Sequence, residues 1–312
     1  MQHELTRVPG MLYDNVNSTK RVNNKLMKQM SIDILFITYN RPDYTKLSLK
    51  RLLDTCDDTM RVWVWHNGTD QKTLDVVQSF RDHPNFFEFY HSIENKKLNE
   101  PTNWLWKIAP GDFLGKVDDD CLMPSGWANV LREAHVDVPK FGVIGCWHYF
   151  EEDIIPEYAN KRIVRYNGQH QLLQNCWIGG SGYLMKRQCV KDMGLLQANR
   201  NFTNYCIRLA AKGWVNGWYY PFIYQDHMDD PRSPNTGLKT DEDLKKHLPL
   251  TAKNTGSYSL TDWLDFLHKD ALVLQSANLD PKYYLGLRAK IRKFRERIFP
   301  LKSSIIKESE KI

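Results

Sequence analysis

The 312-residue sequence has only six cysteines, at positions 56, 121, 146, 176, 189 and 206, and none forms a CxxC pair or a His/Cys spacing typical of zinc. That argues against a disulfide scaffold or a zinc module and reads as reduced thiols, so the expectation is a cytoplasmic protein. No apolar run approaches the roughly 20 residues a membrane-spanning helix needs. Residues 1–30 are polar and Asn/Lys-rich, with no apolar core of the signal-peptide kind, and are expected to form an arm. No internal repeat is visible. Charge of one sign is also in short supply: the formal net charge is only +6, which permits anionic ligands or surfaces without requiring a nucleic acid. Aromatics, by contrast, are plentiful at 12%, with ten Trp, and suit core, stacking and interface roles alike.

Regular structure is expected from Ser31. The run 32–38 (IDILFIT) is β-branched and apolar, as in a buried strand, and Tyr39-Asn-Arg-Pro42 then turns the chain. Residues 43–55 place Leu47, Leu49, Leu52 and Leu53 near helical spacing. A second strand over 61–65 ends in the turn His66-Asn-Gly-Thr-Asp70. A helix over 71–82, a strand over 86–90, a further helix and a strand over 112–117 follow. The second half offers a strand at 141–147, a Gly-rich segment at 177–185, a helix near 201–212 and an extended aromatic stretch at 214–224. Strand–helix alternation with short connections predicts an α/β fold, a mostly parallel sheet flanked by helices. Ligands of such sheets bind beyond the carboxyl ends of the strands. The clusters 38–41, 66–70 and 118–120 all lie there.

The cluster Asp118-Asp119-Asp120 is the sharpest feature. Alternation puts Asp118 and Asp120 on one side, a hard-oxygen pair suited to Mn²⁺ or Mg²⁺, with Asp119 on the other. The competing reading is a solvated acidic turn that caps the next helix. Here the chain resembles the family 2 glycosyltransferases with their GT-A nucleotide-diphospho-sugar fold. The resemblance rests on ILFITYNRP (34–42), HNGTD (66–70), Glu94-Asn95 with Asn103, VDDDCLMPSGW (117–127), WIGGSGYLMKR (177–187) and the segment from Pro221 to His227, in that order.

It implies a nucleotide-sugar site at Thr38, Asn40, Arg41, His66, Asn67, Asn95, Asn103, Asp118 and Asp119. His66 stands where the family usually has an Asp that reads the base. It further implies a metal held by Asp118, Asp120 and His227, and an acceptor site at Trp177, Gly180, Ser181 and Tyr183. For His227 a plain surface histidine competes, and for the glycines tight strand packing does. The implied donor is a nucleotide-diphospho-sugar, with a UDP-sugar as the first expectation, and the implied acceptor a saccharide or lipid-linked hydroxyl.

One element departs from the pattern. The acid that deprotonates the acceptor in inverting members falls here on Asn201, Phe202 and Asn204, and a carboxamide cannot act as a general base. Asp226, Asp229 and Asp230 are the nearest substitutes in sequence, then Glu151, Glu152 and Asp153. Solvated acidic loops compete with both groups, and a retaining reaction without that base stays open. A composition change near 238 divides a GT-A domain (31–238) from a helical, basic C-terminal extension (239–312). Within it, 285–306 interleaves Leu287, Ile291, Phe294 and Ile298 with Arg288, Lys290, Arg292, Lys293, Arg295 and Arg297. That segment fits a solvated helix, an anionic membrane surface at the inner face of a membrane, or a nucleic acid. The alternatives to a glycan-building enzyme are a sugar transferase acting on nucleic acid and a non-catalytic sugar-nucleotide- or glycan-binding protein.

Overall fold

The computed structural model describes residues 30–286 together with Ala289, so the N-terminal arm and nearly all of the basic segment 285–306 lie outside the described residues. Eleven strands run β1 Ile32–Thr38, β2 Met60–Asn67, β3 Phe86–Ser92, β4 Phe113–Asp118, β5 Cys121–Leu122, β6 Phe141–Gly145, β7 Ile163–Tyr166, β8 His170–Asn175, β9 Tyr183–Lys186, β10 Val215–Tyr220 and β11 Asp226–His227. The helices are α1 Pro42–Asp54, α2 Gln71–Gln78, α3 Asn99–Ile108, α4 Trp127–Asp137, α5 Pro156–Ala159, α6 Arg187–Met193, α7 Phe202–Ala211, α8 Asp241–Lys246, α9 Leu250–Thr255 and α10 Leu260–Ser276.

Nine strands form one sheet in the order β3-β2-β1-β4-β9-β6-β10-β8-β7. Strands β9 and β8 run against the other seven. Both faces are covered, and β2 shows why its sequence has no polar alternation. Val62 and Val64 pack into one apolar cluster, while Trp63 and Trp65 pack into the other. Each such side chain, fully buried, stabilises the fold by about 1.5–3 kcal/mol.

Helix α1 starts with Pro42 at a position where a missing N–H costs nothing. Its buried face is Thr45, Ser48, Leu49, Leu52 and Leu53, whereas Leu47, expected inward, is 46% exposed. The inward place is taken by Ser48, which donates to the Cys121 carbonyl at 2.6 Å and the Asp118 carbonyl at 3.2 Å. A polar residue on an apolar face thus holds the acidic turn against the sheet. The hairpin β7–β8 and helix α4 carry no counterpart in the sequence reading.

The segment after 238 is not set apart from the sheet. Leu238, Leu244, Ala252, Trp263, Leu267, Ala271 and Leu274 share one buried cluster with Leu35, Trp65 and Leu114. Trp263 also donates its Nε1–H to the Asp229 carbonyl at 2.7 Å. No helix among the described residues is long and apolar enough to cross a membrane.

Candidate active site

Asp118 closes β4, Asp119 and Asp120 form the turn, and Cys121 opens β5. The two-residue strands β5 and β11 pair antiparallel, setting His227 opposite Cys121. Met228 then donates its N–H to the Asp120 carbonyl at 2.7 Å. This short stitch brings together Asp120, His227 and Asp229, each able to offer a ligand atom within 4.8 Å of the others. His227 Nε2 lies 3.9 Å from Asp120 Oδ2. Arg41 reaches in from the start of α1, 2.9 Å from Asp229 Oδ2 and 3.6 Å from Asp120 Oδ2.

Charge is unevenly shared here. Burial opposes ionisation of Asp120, but His227 and Arg41 outweigh it and hold its carboxyl below the ordinary range. Burial pushes Asp229 up to about 6, with Asp120 adding to the shift and Arg41 opposing it. Burial likewise raises Asp118 and Asp119, against the pull of Lys116 and Arg41 respectively. The buried atoms His227 Nδ1 and Asp229 Oδ1 have no hydrogen-bond partner. Two carboxylates and an imidazole, with two donor atoms unmet, fit a hard or borderline divalent cation such as Mn²⁺ or Mg²⁺. Unmet buried polar atoms are otherwise costly, at about 1–3 kcal/mol each.

The other expected residues separate into groups. Asp118 and Asp120 line one cavity of about 400 Å³, together with Trp177, Gly180 and Ser181. Asp118 also pairs with buried Lys116, whose ammonium donates to the Gly180 carbonyl at 2.8 Å. Asp119 turns away and accepts from the Tyr39 N–H at 3.1 Å, bracing the end of β1. Behind this edge lies Gly182, at φ 65°, where an added Cβ would meet Gln225 Oε1 at 2.1 Å, so only glycine fits. Tyr183, expected at the acceptor, sits instead in the core at 1% exposure, stacked on Phe202 at 4.5 Å. Its place on β9 turns the ring into the layer under α7.

On the nucleotide side, Thr38 Oγ1 and His66 Nδ1 share a hydrogen bond of 2.7 Å, both fully buried. Burial, then His91, lowers His66 to about 4, so its ring is neutral, and its Nε2 has no partner. Asn67 accepts from Trp65 Nε1 and the Lys96 N–H, each at 3.0 Å, and so ties β2 to the next loop. Asn95 caps its own loop by accepting from the Lys97 N–H at 2.8 Å. Both ends of the Asn103 carboxamide engage Leu196, at 2.9 Å each, which makes it a clamp between α3 and the chain before α7. Asn40 and Arg41 line a separate cleft with Tyr44 and His247.

The candidate bases are largely committed to other partners. Asp226 accepts from Asn235 Nδ2 at 2.7 Å, and Asp229 holds Arg41. Asp230 and Asp153 are buried and share Arg232, at 2.7 and 2.8 Å, while Glu152 meets the same guanidinium at 3.3 Å from the surface. Glu151 is exposed. Asn201, where the expected acid is missing, caps α7 by accepting from the Asn204 N–H at 3.0 Å. Both asparagines border a different, open groove beside Trp65 and Tyr90, whose rings stack at 4.1 Å. From α7 only Thr203 lines the acidic cavity.

Cavity residues that went unnoticed in the sequence include His148, Tyr149, Gln225 and Asp270. Burial, then His227, lowers His148 to about 3 and keeps it neutral. Tyr149 donates its hydroxyl to Asp270 Oδ2. The signal for Asp270 was present, since it interrupts the buried stripe Trp263, Leu267, Ala271, Leu274 of α10.

Comparison with known proteins decides the family. The Glycosyl transferase family 2 model matches residues 33–192, more than half of the chain. The chain belongs to glycosyl transferase family 2. The chain is 25% identical over 109 residues to the Bacillus subtilis (strain 168) protein EpsH. That match covers 35% of this chain and only about a third, 31%, of the relative's length. Among solved structures, the mannosyltransferase PcManGT from Pyrobaculum calidifontis, in complex with GDP-Man and Mn²⁺, superposes with a TM-score of 0.53 at 13% identity. The superposition covers 91% of this chain and 88% of that one, so the two share a fold. The family match ends at 192, so it includes β5 and Asp120 but not β11, His227 or Asp229.

Proposed function

We propose that this family 2 glycosyltransferase moves a sugar from a nucleoside-diphosphate donor to an acceptor hydroxyl inside the 400 Å³ cavity, in a divalent-cation-dependent reaction. The observation that carries this reading is the convergence of Asp120, His227 and Asp229 within 4.8 Å, with two of their buried donor atoms unpartnered. These three side chains would hold the cation. When bound, Mn²⁺ or Mg²⁺ neutralises charge on the departing diphosphate as a Lewis acid. Arg41 adds a fixed positive charge at the same edge. Asp118, tethered to Lys116, faces the cavity from the donor side, and Trp177 with Gly180 and Ser181 form the acceptor wall. The neutral His66 ring, with a free Nε2, would read the nucleobase by hydrogen bonding rather than by charge. A UDP-sugar and GDP-mannose, the latter bound by the fold neighbour, head the donor panel.

The test is nucleoside-diphosphate release from that panel with Mn²⁺, Mg²⁺ or chelator. Mn²⁺-dependent release from one donor, lost in Asp120→Ala, is expected. No release from any donor, with saccharide and lipid-linked acceptors present, would favour a binding protein instead. For the segment 285–306, outside the described residues, binding to anionic liposomes or duplex DNA before and after removal of 285–312 separates a membrane-linked acceptor from a nucleic-acid one.

A further inference from the structure

We infer that Asp270, on α10, is the base that takes the proton of the acceptor hydroxyl. This inference rests on the glycosyltransfer reading above. Three acids among the described residues line the cavity: Asp118, Asp120 and Asp270. Asp118 faces Lys116, and Asp120 faces Arg41 and His227. Asp270 has no ion pair among the described residues; its partner is the neutral Tyr149 hydroxyl. It enters the cavity from a wall that also holds Trp263, Phe266, Leu267 and Leu274. An apolar wall makes a carboxylate more basic, which is what proton removal from an alcohol requires. Burial does raise its carboxyl above the ordinary range, with the Tyr149 hydrogen bond opposing the shift. Tyr149 fixes the carboxylate through one oxygen, Oδ2, and Oδ1 makes no hydrogen bond among the described residues.

The step is a single displacement. The acceptor oxygen bonds to the anomeric carbon as its proton passes to Asp270, and the bond from that carbon to the diphosphate oxygen breaks, the electron pair leaving with the diphosphate. Inversion at the anomeric carbon follows. A base delivered by α10 also accounts for the asparagines at the start of α7: Asn201 caps that helix, and both Asn201 and Asn204 border another groove.

The experiment compares wild type with Asp270→Asn, Asp270→Ala, Asp270→Glu and His148→Ala. The probes are the nucleotide-sugar panel with Mn²⁺, simple alkyl glycosides or water as acceptor, and sodium azide. Expected for Asp270→Asn is donor affinity by calorimetry and a thermal midpoint close to wild type, with release slowed about 10²–10⁴-fold. Asp270→Glu should restore part of the rate. Azide has no proton to lose, so it should rescue Asp270→Ala and give a glycosyl azide of inverted configuration by NMR. Asp270→Asn within threefold of wild type, a retained product, or a loss confined to His148→Ala would overturn the base while leaving the transferase reading intact. A wild type that neither binds nor cleaves any donor would overturn both.

Discussion

Asp229 and Asp230 are neighbours in the chain and belong to two acidic clusters with opposite fates. Asp229 joins Asp120 and His227 beside Arg41, and its Oδ1 is buried without a partner. Asp230 joins Asp153 around Arg232, whose Nε, two terminal nitrogens and backbone N–H are all engaged by carboxylates. The first cluster has more acceptors than its cations satisfy, and it borders a cavity. The second is closed: each of its buried carboxylates meets the guanidinium through both oxygens. What distinguishes the proposed cation site from the structural ion cluster is unmet coordination, not acidity.

Breaking the open cluster should give the largest change. Asp120→Ala is expected to slow nucleoside-diphosphate release on the order of 10³-fold, the scale seen when one electrostatic contact to a developing anion is removed. Its thermal midpoint should fall only slightly, because Arg41 keeps Asp229, its partner at 2.9 Å. Arg232→Met should do the reverse. It strips the guanidinium from buried Asp153 and Asp230, leaving Asp153 only the His268 ring at 3.2 Å and the Phe150 N–H at 2.9 Å, at a cost of about 3–5 kcal/mol in chemical denaturation, with activity per folded molecule unchanged.

The adjacent pair sharpens the contrast. Asp229→Asn is expected to cut release about 10²-fold and leave stability within about 1 kcal/mol, since the amide oxygen still accepts from Arg41. Asp230→Asn should cost about 1–3 kcal/mol of stability and little activity. If both substitutions act alike, the distinction fails. Saturating Mn²⁺, at about 100 times its dissociation constant, should stabilise wild type by about 2.7 kcal/mol in a thermal melt. The same ion should stabilise Arg232→Met equally and Asp120→Ala hardly at all.

The last effect is on pH, and it is carried by residues outside both clusters. Burial holds His135 at about 3 and His66 at about 4, below the roughly 6.5 of an unfolded histidine. Both therefore favour the fold in their neutral form. Their contribution is complete above about pH 6.5 and is lost as pH falls towards the folded values, by up to about 1.4 kcal/mol per unit for each ring. His148, at about 3, is a third such ring, while Asp119 and Asp229, raised by burial to about 8 and about 6, slope the opposite way. The check is therefore a difference: between pH 7 and 5, His135→Gln should lose less stability than wild type in thermal melts.

Much of the site was legible locally. The β-branched run 32–38, the turn at 66–70 and the acidic triplet each announce themselves within ten residues, because strand ends in such sheets are marked by abrupt apolar-to-polar changes. Side-chain alternation sets Asp119 apart from Asp118 and Asp120; in the fold Asp119 braces Tyr39 while the other two line the cavity. Local reading failed where a polar side chain serves a distant partner. Asn67 and Asn103 look like ligand contacts in sequence and are clamps in the fold. Tyr183 looks like a sugar platform and is core. Asp270 looked like part of a charged appendage, although α10 shares the buried cluster of the sheet.

The sequence by itself determined the strand ends and the acidic turn, since both follow from residue types and short-range periodicity; the missing acid at the start of α7 was visible only against the family resemblance. Only the tertiary structure decided which side chains Asp120 would meet. A two-residue pairing of β5 with β11 brings in His227 and Asp229, and a helix anchored by Trp263 brings in Asp270. Those partners are set by where apolar faces bury, and contacts across a hundred residues leave no local pattern to read.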